Sequence, residues 1–227
     1  SMKHFLAAIP ASCKKIAVLD RTKESGSLGE PLYLDVCSAL LEAGKTDIAV
    51  VGGRYGLGSK DTIPADIEAV FSNLAADQPK HNFTISIVDD VTNLSLPRPK
   101  IHDILPKGTI QCKFWGLGSD GTVGANKNSI KIIGDHTDMY AQAYFDYDSK
   151  KSGGLTISHL RFGNKEIKAP YLINQADFIS CSNQSYMYKY NLLDGLKDGG
   201  TFLFNTTMSA GRENAGRHET HPGGKTG

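Results

Sequence analysis

The chain has 227 residues, which suits one domain of about 150 residues and part of a second. Its 25 basic and 24 acidic residues leave a formal net charge of +1, so no overall field attracts nucleic acid or an anionic membrane. No run approaches the roughly 20 apolar residues of a membrane-spanning helix, and Met2-Lys3-His4 lacks the apolar core of a signal peptide. We therefore expect a reducing compartment, and we interpret Ser1 before Met2 as a remnant of expression.

The four cysteines are widely separated and form no C-x-x-C pair. They are Cys13, Cys37, Cys112 and Cys181. Structural zinc sites and iron–sulfur clusters need closely spaced cysteine ligands, so the spacing indicates buried free thiols and predicts no metal site in this chain.

The first part of the chain alternates short apolar runs with helical patterns. Strands are predicted at residues 15–19, 48–51 and 83–88. One helix runs from Pro31 to Gly44, and a second opens at Pro64, with Ile67, Val70, Phe71 and Leu74 expected to face inward. A second glycine-rich loop, residues 52–60, follows the second strand. Strands that alternate with helices predict a parallel sheet.

Three prolines between residues 96 and 107 break any regular element, and this segment is predicted to separate two domains. Beyond it, strands are predicted at 110–115, 140–147, 155–162, 169–173, 177–180 and 201–204. The strands at 140–147 and 155–162 flank a charged, glycine-containing tip that is typical of a hairpin-like connection. A helix is predicted at 125–133, and an aromatic helix with Tyr186, Tyr190 and Leu193 is predicted to end at Gly195.

The resulting fold class is α/β, with two partial or small three-layer Rossmann-like parallel-sheet domains. The expected boundaries are a lead-in at 1–13, a first domain at 14–96, a linker at 97–107, a second domain at 108–206 and a tail at 207–227. The tail has few apolar side chains and is predicted to be disordered. His218 and His221 lie in it, but two ligands do not complete a metal site.

Residues 116–124 form a glycine loop between a predicted strand and a predicted helix, the context of a phosphate-binding loop. Lys150 and Lys151 follow the next strand, where an NAD-binding domain would carry a lone carboxylate for the ribose. A phosphorylated nucleotide such as coenzyme A or NADP therefore fits better than NAD. The candidate binding residues are Gly118, Ser119, Gly121, Thr122, Gly124, Lys127, Lys150 and Lys151.

Structural interpretations compete with each of these assignments. The glycine loop could be only a tight turn, and the lysine pair only a solvated tip. For Arg54 and Tyr55 we predict an interdomain structural role rather than cofactor binding. We interpret His159 as a core or interface residue, and Asp89 and Asp90 as solvated or capping carboxylates.

Several segments together resemble the pyruvate:ferredoxin (flavodoxin) oxidoreductase family, including its protist pyruvate:NADP version, which is fused to a reductase module. They are residues 17–24, 29–33, 52–57, 89–92, 114–131, 147–154 and 159–162. The similarity runs in one order from residue 14 to residue 206, and the tail is expected to lie outside it.

The resemblance implies that the chain is a fragment of a long multidomain enzyme. It resembles the end of the family's transketolase C-terminal-like domain joined to the first half of its gamma module. The family converts pyruvate to acetyl-coenzyme A with thiamine diphosphate and [4Fe-4S] clusters, which the resemblance places in other domains. It implies coenzyme A binding and domain docking for this part, with ferredoxin, flavodoxin or a fused reductase as partners of a homodimeric parent.

The resemblance also implies a location in the cytoplasm, or in a hydrogenosome or mitochondrion-related organelle if the source is a protist. The alternative function is a stand-alone nucleotide-binding or scaffolding module without catalysis. No nucleic acid, membrane or metal is expected to bind this chain.

Overall fold

The structure is a computed structural model, and it describes residues 1–148 and 153–207. The chain divides into two compact units. The first comprises Ser1–Leu105 with Lys168–Leu172, and the second comprises Pro106–Ile167 with the residues from Ile173 onward. The division after Leu105 falls within the proline-rich segment. The later segment joins the first unit, where the Leu172 N–H donates a 2.8 Å hydrogen bond to the Asp61 carboxylate.

The first unit contains a small sheet and three helices. Its elements are α1 (Met2–Ala8), β1 (Lys15–Asp20), α2 (Pro31–Glu42), β2 (Ala49–Arg54), α3 (Pro64–Ala75) and β3 (Phe83–Thr84). The strands are parallel, in the order β1-β2-β3, as the alternation of strands and helices predicted. The predicted third strand was too long, since only two of its residues pair with β2.

Helices cover both faces of this sheet. Val18 packs with Val36 and Leu40 of α2, whereas its neighbours Ala17 and Leu19 pack with Val70 of α3 on the opposite face. Successive side chains of a strand point to opposite faces, so β1 is enclosed from both sides. The unit has three layers and belongs to the predicted α/β class.

The N-terminus of α2 is closed by a carboxylate from the preceding strand. Pro31 begins the helix, and Asp20 accepts hydrogen bonds from the N–H groups of Leu32 at 2.9 Å and Tyr33 at 3.1 Å. Asp20 is buried, so this helix end already carries its own anion.

A buried aspartate also organises α3. Asp66 is 2% exposed and accepts hydrogen bonds from the Ile63 N–H, the Ser86 hydroxyl and two nitrogens of the Arg98 guanidinium. The proline-rich segment that contains Arg98 is thereby attached to the first unit. The expected orientation of this helix was partly wrong, because Ile67 and Phe71 are exposed while Val70 is buried.

The second unit contains one helix and a five-stranded sheet. Its elements are β4 (Ile110–Leu117), α4 (Thr122–His136), β5 (Tyr140–Tyr147), β6 (Leu155–Gly163), β7 (Ala176–Cys181) and β8 (Leu196–Phe204). The strand order is β5-β6-β4-β7-β8. The α/β class is confirmed, and β4, β7 and β8 are parallel neighbours.

This sheet is mixed, because β6 runs antiparallel to both β5 and β4. β5 ends at Tyr147 and β6 begins at Leu155, a separation too short for the crossover that parallel neighbours require. The prediction of a hairpin-like connection was correct here, and the predicted parallel pairing holds in this unit for β4, β7 and β8 but not for β5 and β6.

The core of the second unit lies on the sheet face that carries Trp115. Its buried residues are Trp115, Ile173, Ala176, Ile179, Cys181, Tyr186 and Leu192. Two predicted elements are absent from the described residues: 169–173 forms no strand, and the aromatic helix is only a 3₁₀ turn, Gln184–Tyr188. Their apolar side chains signal burial, which an irregular segment can also provide.

Two of the free cysteines, Cys112 and Cys181, are buried, whereas Cys13 and Cys37 are partly exposed. Burial raises the pKa of the Cys112 thiol to about 11, against the direction needed for a reactive thiolate. None of the helices in the described ranges has the length and apolar character needed to cross a bilayer.

The Asp66→Ala variant should lower the free energy of unfolding by about 2–4 kcal/mol, because it leaves the Ile63 N–H and the Ser86 hydroxyl without their acceptor. The matched control is Asp47→Ala. Asp47 pairs with Lys14 at 2.7 Å, the same distance as in the Arg98–Asp66 pair. The side chains of Asp47 and Lys14 are each 67% exposed. Urea unfolding should show no measurable change for the control, and equal effects of the two variants would contradict the assignment.

Candidate functional site

The glycine loop, residues 116–124, runs from the last two residues of β4 into the first turn of α4, at the carboxyl edge of the second sheet. The helix approaches the strand closely at Gly116, where an added Cβ would lie 2.8 Å from the Thr122 Cβ and 2.9 Å from its Oγ1. Glycine is therefore required at this position for packing. Ser119 and Gly121 both have positive φ angles, 74° and 85°, which turn the chain sharply into the helix.

Asp120 holds the loop in this shape. Its carboxylate accepts the N–H groups of Leu117 and Thr122, both at 2.8 Å, and the hydroxyl of Ser182 at 3.0 Å. Partial burial opposes ionisation, but hydrogen bonds led by those from Thr122 keep the pKa of Asp120 below its usual value. The charged carboxylate thus ties the ends of β4 and β7 together.

Only part of the loop can donate hydrogen bonds to a ligand. The Gly118 N–H donates to the Gly154 carbonyl at 2.7 Å, and the Asp120 N–H donates to the Leu117 carbonyl. The remaining N–H groups find no acceptor within residues 1–148 and 153–207; they belong to Ser119, Gly121, Val123 and Gly124. Such N–H groups at the start of a helix favour an anion.

A cavity of about 280 Å³ opens beside Ser119 and Val123, two of these four residues. Its wall combines Gly118, Ser119 and Val123 with residues from the facing β5–β6 pair, namely Tyr147, Asp148, Gly154, Leu155 and Thr156. Thr156 is 6% exposed, and its hydroxyl has no hydrogen-bond partner in the described part of the chain. A buried polar group without a partner indicates a ligand or an ordered water at this position.

The structure describes the predicted site residues other than Lys150 and Lys151. Gly118, Ser119 and Gly121 lie between β4 and α4, and Gly124 lies in the first turn of α4. Thr122 turns its side chain towards Gly116, and Lys127 places its ammonium 5.3 Å from the centroid of the Phe145 ring.

Lys150 and Lys151 lie outside the described residues, as do His218 and His221. Thr156, which sequence reasoning missed, comes from an antiparallel strand pair, and only the sheet register shows that it lies beside Gly116.

The second glycine-rich loop is held by a buried ion pair. The Arg54 Nε lies 2.6 Å from the Glu30 carboxylate, and its Nη1 donates to the Asn82 carbonyl at 3.0 Å. Arg54 is structural, as predicted, but its partner belongs to the same unit and not to another domain. Asp89 accepts the N–H groups of Val91 and Thr92, in agreement with the predicted capping role.

Within the described ranges, no three histidine, cysteine or acidic residues come close enough to hold a metal ion.

His159 belongs to a buried polar row on the Trp115 face of the second sheet, with Lys113 and Arg161 as neighbours. Its Nδ1 accepts the Ile173 N–H at 3.1 Å. Burial, followed by the nearby charges of Lys113 and Arg161, lowers the pKa of His159 to about 3. A histidine that stays neutral and holds a backbone N–H acts in the core, as the sequence predicted.

The second unit is an α/β domain with a glycine loop at the carboxyl edge of its sheet. The family model described as pyruvate ferredoxin/flavodoxin oxidoreductase matches residues 111–224. This is half of the 227-residue chain, so the chain belongs to that family. The match extends beyond Thr206, and the expectation that the tail lies outside the family was therefore wrong.

Three relatives are similar along almost the whole chain. The pyruvate:ferredoxin oxidoreductase of Moorella thermoacetica is 67% identical over 92% of this chain, and the pyruvate-flavodoxin oxidoreductase of Enterobacter agglomerans is 64% identical over 90%. The mitochondrial pyruvate dehydrogenase [NADP(+)] of Euglena gracilis is 52% identical over 91%. The chain spans only 18%, 18% and 12% of these proteins.

Two solved structures show a weaker likeness. The pyruvate oxidoreductase subunit PORC of Thermotoga maritima has a TM-score of 0.39 and 17% identity, over 46% of this chain and 53% of the subunit. The gamma subunit of a keto/oxoacid ferredoxin oxidoreductase from Geobacter sulfurreducens has a TM-score of 0.33 and 23% identity, over 43% and 50%. Both are too distant to transfer a site to this chain.

The Gly116→Ala variant should lower the free energy of unfolding by about 1–3 kcal/mol, because the new methyl group meets the Thr122 side chain. Gly134→Ala is the matched control, since nothing lies within 4 Å of a Cβ added at this position of α4. The control should be neutral or stabilising by up to about 1 kcal/mol. Urea unfolding followed by circular dichroism compares the two variants. An unchanged free energy of unfolding in Gly116→Ala would contradict the close approach of Thr122 to Gly116.

The pKa of His159 also predicts a pH dependence of stability. Between pH 6.5 and about 3 the unfolded chain binds a proton that the folded chain excludes, so the free energy of unfolding falls as the pH decreases through this range. Between pH 7 and pH 5 the loss should be about 1–2 kcal/mol.

His159→Gln should flatten this slope in urea unfolding at a series of pH values, whereas His136→Gln, at an exposed position of α4, should keep it. An unchanged slope in His159→Gln would show that His159 is not the source of this pH dependence.

Proposed function

We propose that the chain is a segment of an oxidoreductase that oxidatively decarboxylates pyruvate to acetyl-coenzyme A. This segment contributes coenzyme A binding and domain docking and has no turnover by itself. Similarity along about nine-tenths of the chain to pyruvate oxidoreductases supports this role over that of an unrelated stand-alone module. The observation that carries the binding role is the cavity beside the glycine loop, with its unsatisfied N–H groups and the buried Thr156 hydroxyl.

The donors of this cavity suit a phosphate group. Backbone N–H groups at the start of α4 and a threonine hydroxyl can all donate to phosphate oxygens, and the helix dipole favours the negative charge. Asp120 does not compete for the ligand as an acceptor, because its oxygens already accept hydrogen bonds from the protein. The diphosphate of coenzyme A is the group proposed to bind here, through Ser119, Gly121 and Gly124.

The other end of the cavity suits a phosphorylated ribose. Asp148 lies in the cavity wall at the end of β5, where a carboxylate can accept a hydrogen bond from a ribose hydroxyl. Lys150 and Lys151 follow in the sequence and are proposed to pair with the 3′-phosphate. Thr122 and Lys127 are proposed to contribute to ligand binding from the first turns of α4. Lys127 would do so by adding positive charge near the ligand.

The remaining steps of the reaction are proposed to use other segments of the longer protein. Those segments would hold thiamine diphosphate, which would supply the decarboxylation chemistry, and [4Fe-4S] clusters, which would supply electron transfer. Ferredoxin, flavodoxin or a fused reductase would receive the electrons, with a homodimeric parent enzyme as the assembly. The other domains of the parent are the proposed docking partners of this chain.

Calorimetry with coenzyme A, 3′-dephospho-coenzyme A, NADP and NAD tests the binding role. The Lys150→Ala/Lys151→Ala variant should bind coenzyme A about tenfold more weakly and leave 3′-dephospho-coenzyme A unchanged, because exposed ion pairs contribute up to about 1 kcal/mol each. Lys131→Ala/Lys165→Ala removes the same charge from exposed positions elsewhere and should bind coenzyme A normally.

Two outcomes would count against the proposal. Equal affinity of the unaltered chain for coenzyme A and its dephospho form would contradict the proposed pairing of Lys150 and Lys151 with the 3′-phosphate. Failure of the unaltered chain to bind any of the four ligands would contradict the binding role of this segment.

A further inference from the structure

A second cavity, the switch-point crevice, opens on the other side of the glycine loop. It has a volume of about 320 Å³, and its walls come from the loops that follow β4, β7 and β8. The strand order reverses here: from β4 the chain passes through α4 to β5 on one side, whereas β7 and β8 lie on the other. The carboxyl ends of parallel strands at such a reversal form a natural ligand crevice.

Hydrogen bonds fix the orientation of two amide side chains in this crevice. The Asn183 Oδ1 accepts the N–H and the hydroxyl of Ser185 at 3.0 and 2.9 Å. The Gln184 Oε1 accepts the Thr206 hydroxyl at 2.9 Å and the Thr207 N–H at 3.1 Å. Both carbonyl oxygens are thus used inside the protein, and within the described ranges neither NH₂ group has an acceptor.

Asn205 has the opposite orientation. Its Nδ2 donates to the Ser182 carbonyl at 3.3 Å, which leaves its Oδ1 as an acceptor. The amide side chains of the crevice therefore offer two neutral donors and one neutral acceptor. Its charged wall residue is Asp120, whose carboxylate opposes a second anion.

We propose that the switch-point crevice binds a carboxamide-bearing arm of the ligand whose phosphates lie on the glycine loop. A carboxamide presents a carbonyl oxygen and an N–H group, the complement of these donors and this acceptor. Leu117 and Asp120 line the crevice, while Gly118 and Ser119 line the phosphate cavity, so one loop separates the two sites. This inference rests on the proposed function, since it assigns the part of the ligand that extends away from the ribose.

Two halves of coenzyme A test the assignment separately. Pantetheine carries amide groups without a base or phosphate, and adenosine 3′,5′-bisphosphate carries the base and phosphates without an amide. NMR of the isotope-labelled 227-residue chain reports on the side-chain NH₂ signals of Asn183 and Gln184, and on the backbone signals of Ser119 and Gly121. Pantetheine should shift the first pair, and adenosine 3′,5′-bisphosphate the second.

The Gln184→Glu variant sharpens the test. It keeps the acceptor for Thr206 and Thr207 but removes the NH₂ donor, so its affinity for pantetheine should fall about fivefold to tenfold, with that for adenosine 3′,5′-bisphosphate unchanged. Gln78→Glu adds the same charge at an exposed position in the first unit and should bind both probes normally.

The possible outcomes distinguish this assignment from the proposed function. It is overturned if pantetheine leaves the Asn183 and Gln184 signals unmoved, or if adenosine 3′,5′-bisphosphate shifts them instead. If pantetheine shifts them and adenosine 3′,5′-bisphosphate does not bind, the crevice assignment stands while the phosphate role of the glycine loop fails.

Discussion

The hydrogen bonds of Asp120 are the constraint on which the candidate site depends. One carboxylate accepts from the end of β4, from the start of α4 and from the loop after β7. It thereby fixes the direction in which the remaining N–H groups point. Asp120 lines one of the two cavities and its neighbours Gly118 and Ser119 line the other, so the separation between the cavities is set by the fold before any ligand binds.

The two units differ in how the first N–H groups of a helix are hydrogen-bonded. In the first unit Asp20 accepts the second and third N–H groups of α2, so that helix end is closed. In the second unit Asp120 accepts only the first N–H of α4, and within residues 1–148 and 153–207 those of Val123 and Gly124 have no acceptor. The difference gives a physical reason for proposing the second strand-to-helix turn, and not the first, as a site for an external anion.

Local sequence patterns predicted the elements well where alternation and loop chemistry agree. β5 occupies the predicted residues 140–147, whereas the glycine loop is shorter than predicted, because β4 extends to Leu117 and α4 begins at Thr122. The pattern failed where apolar residues are buried without strand pairing, as at Ile173, and where a helix exposes an apolar residue, as at Phe71. Hydrophobic periodicity reports burial, and it does not report the hydrogen-bond partner of the backbone.

The sequence by itself determined the α/β class, the strand–loop–helix context of residues 110–136 and the family to which the chain belongs. Each depends on residues close together in the chain or on a long ordered series of motifs. Only the tertiary structure placed β6 antiparallel beside β4, which brings Thr156 to the glycine loop. It also showed that the loops after β7 and β8 are in contact. There the Gln184 Oε1 accepts a hydrogen bond from the Thr206 hydroxyl, which leaves the NH₂ group of Gln184 to face the crevice. These contacts join distant segments, and strand register and loop packing decide them.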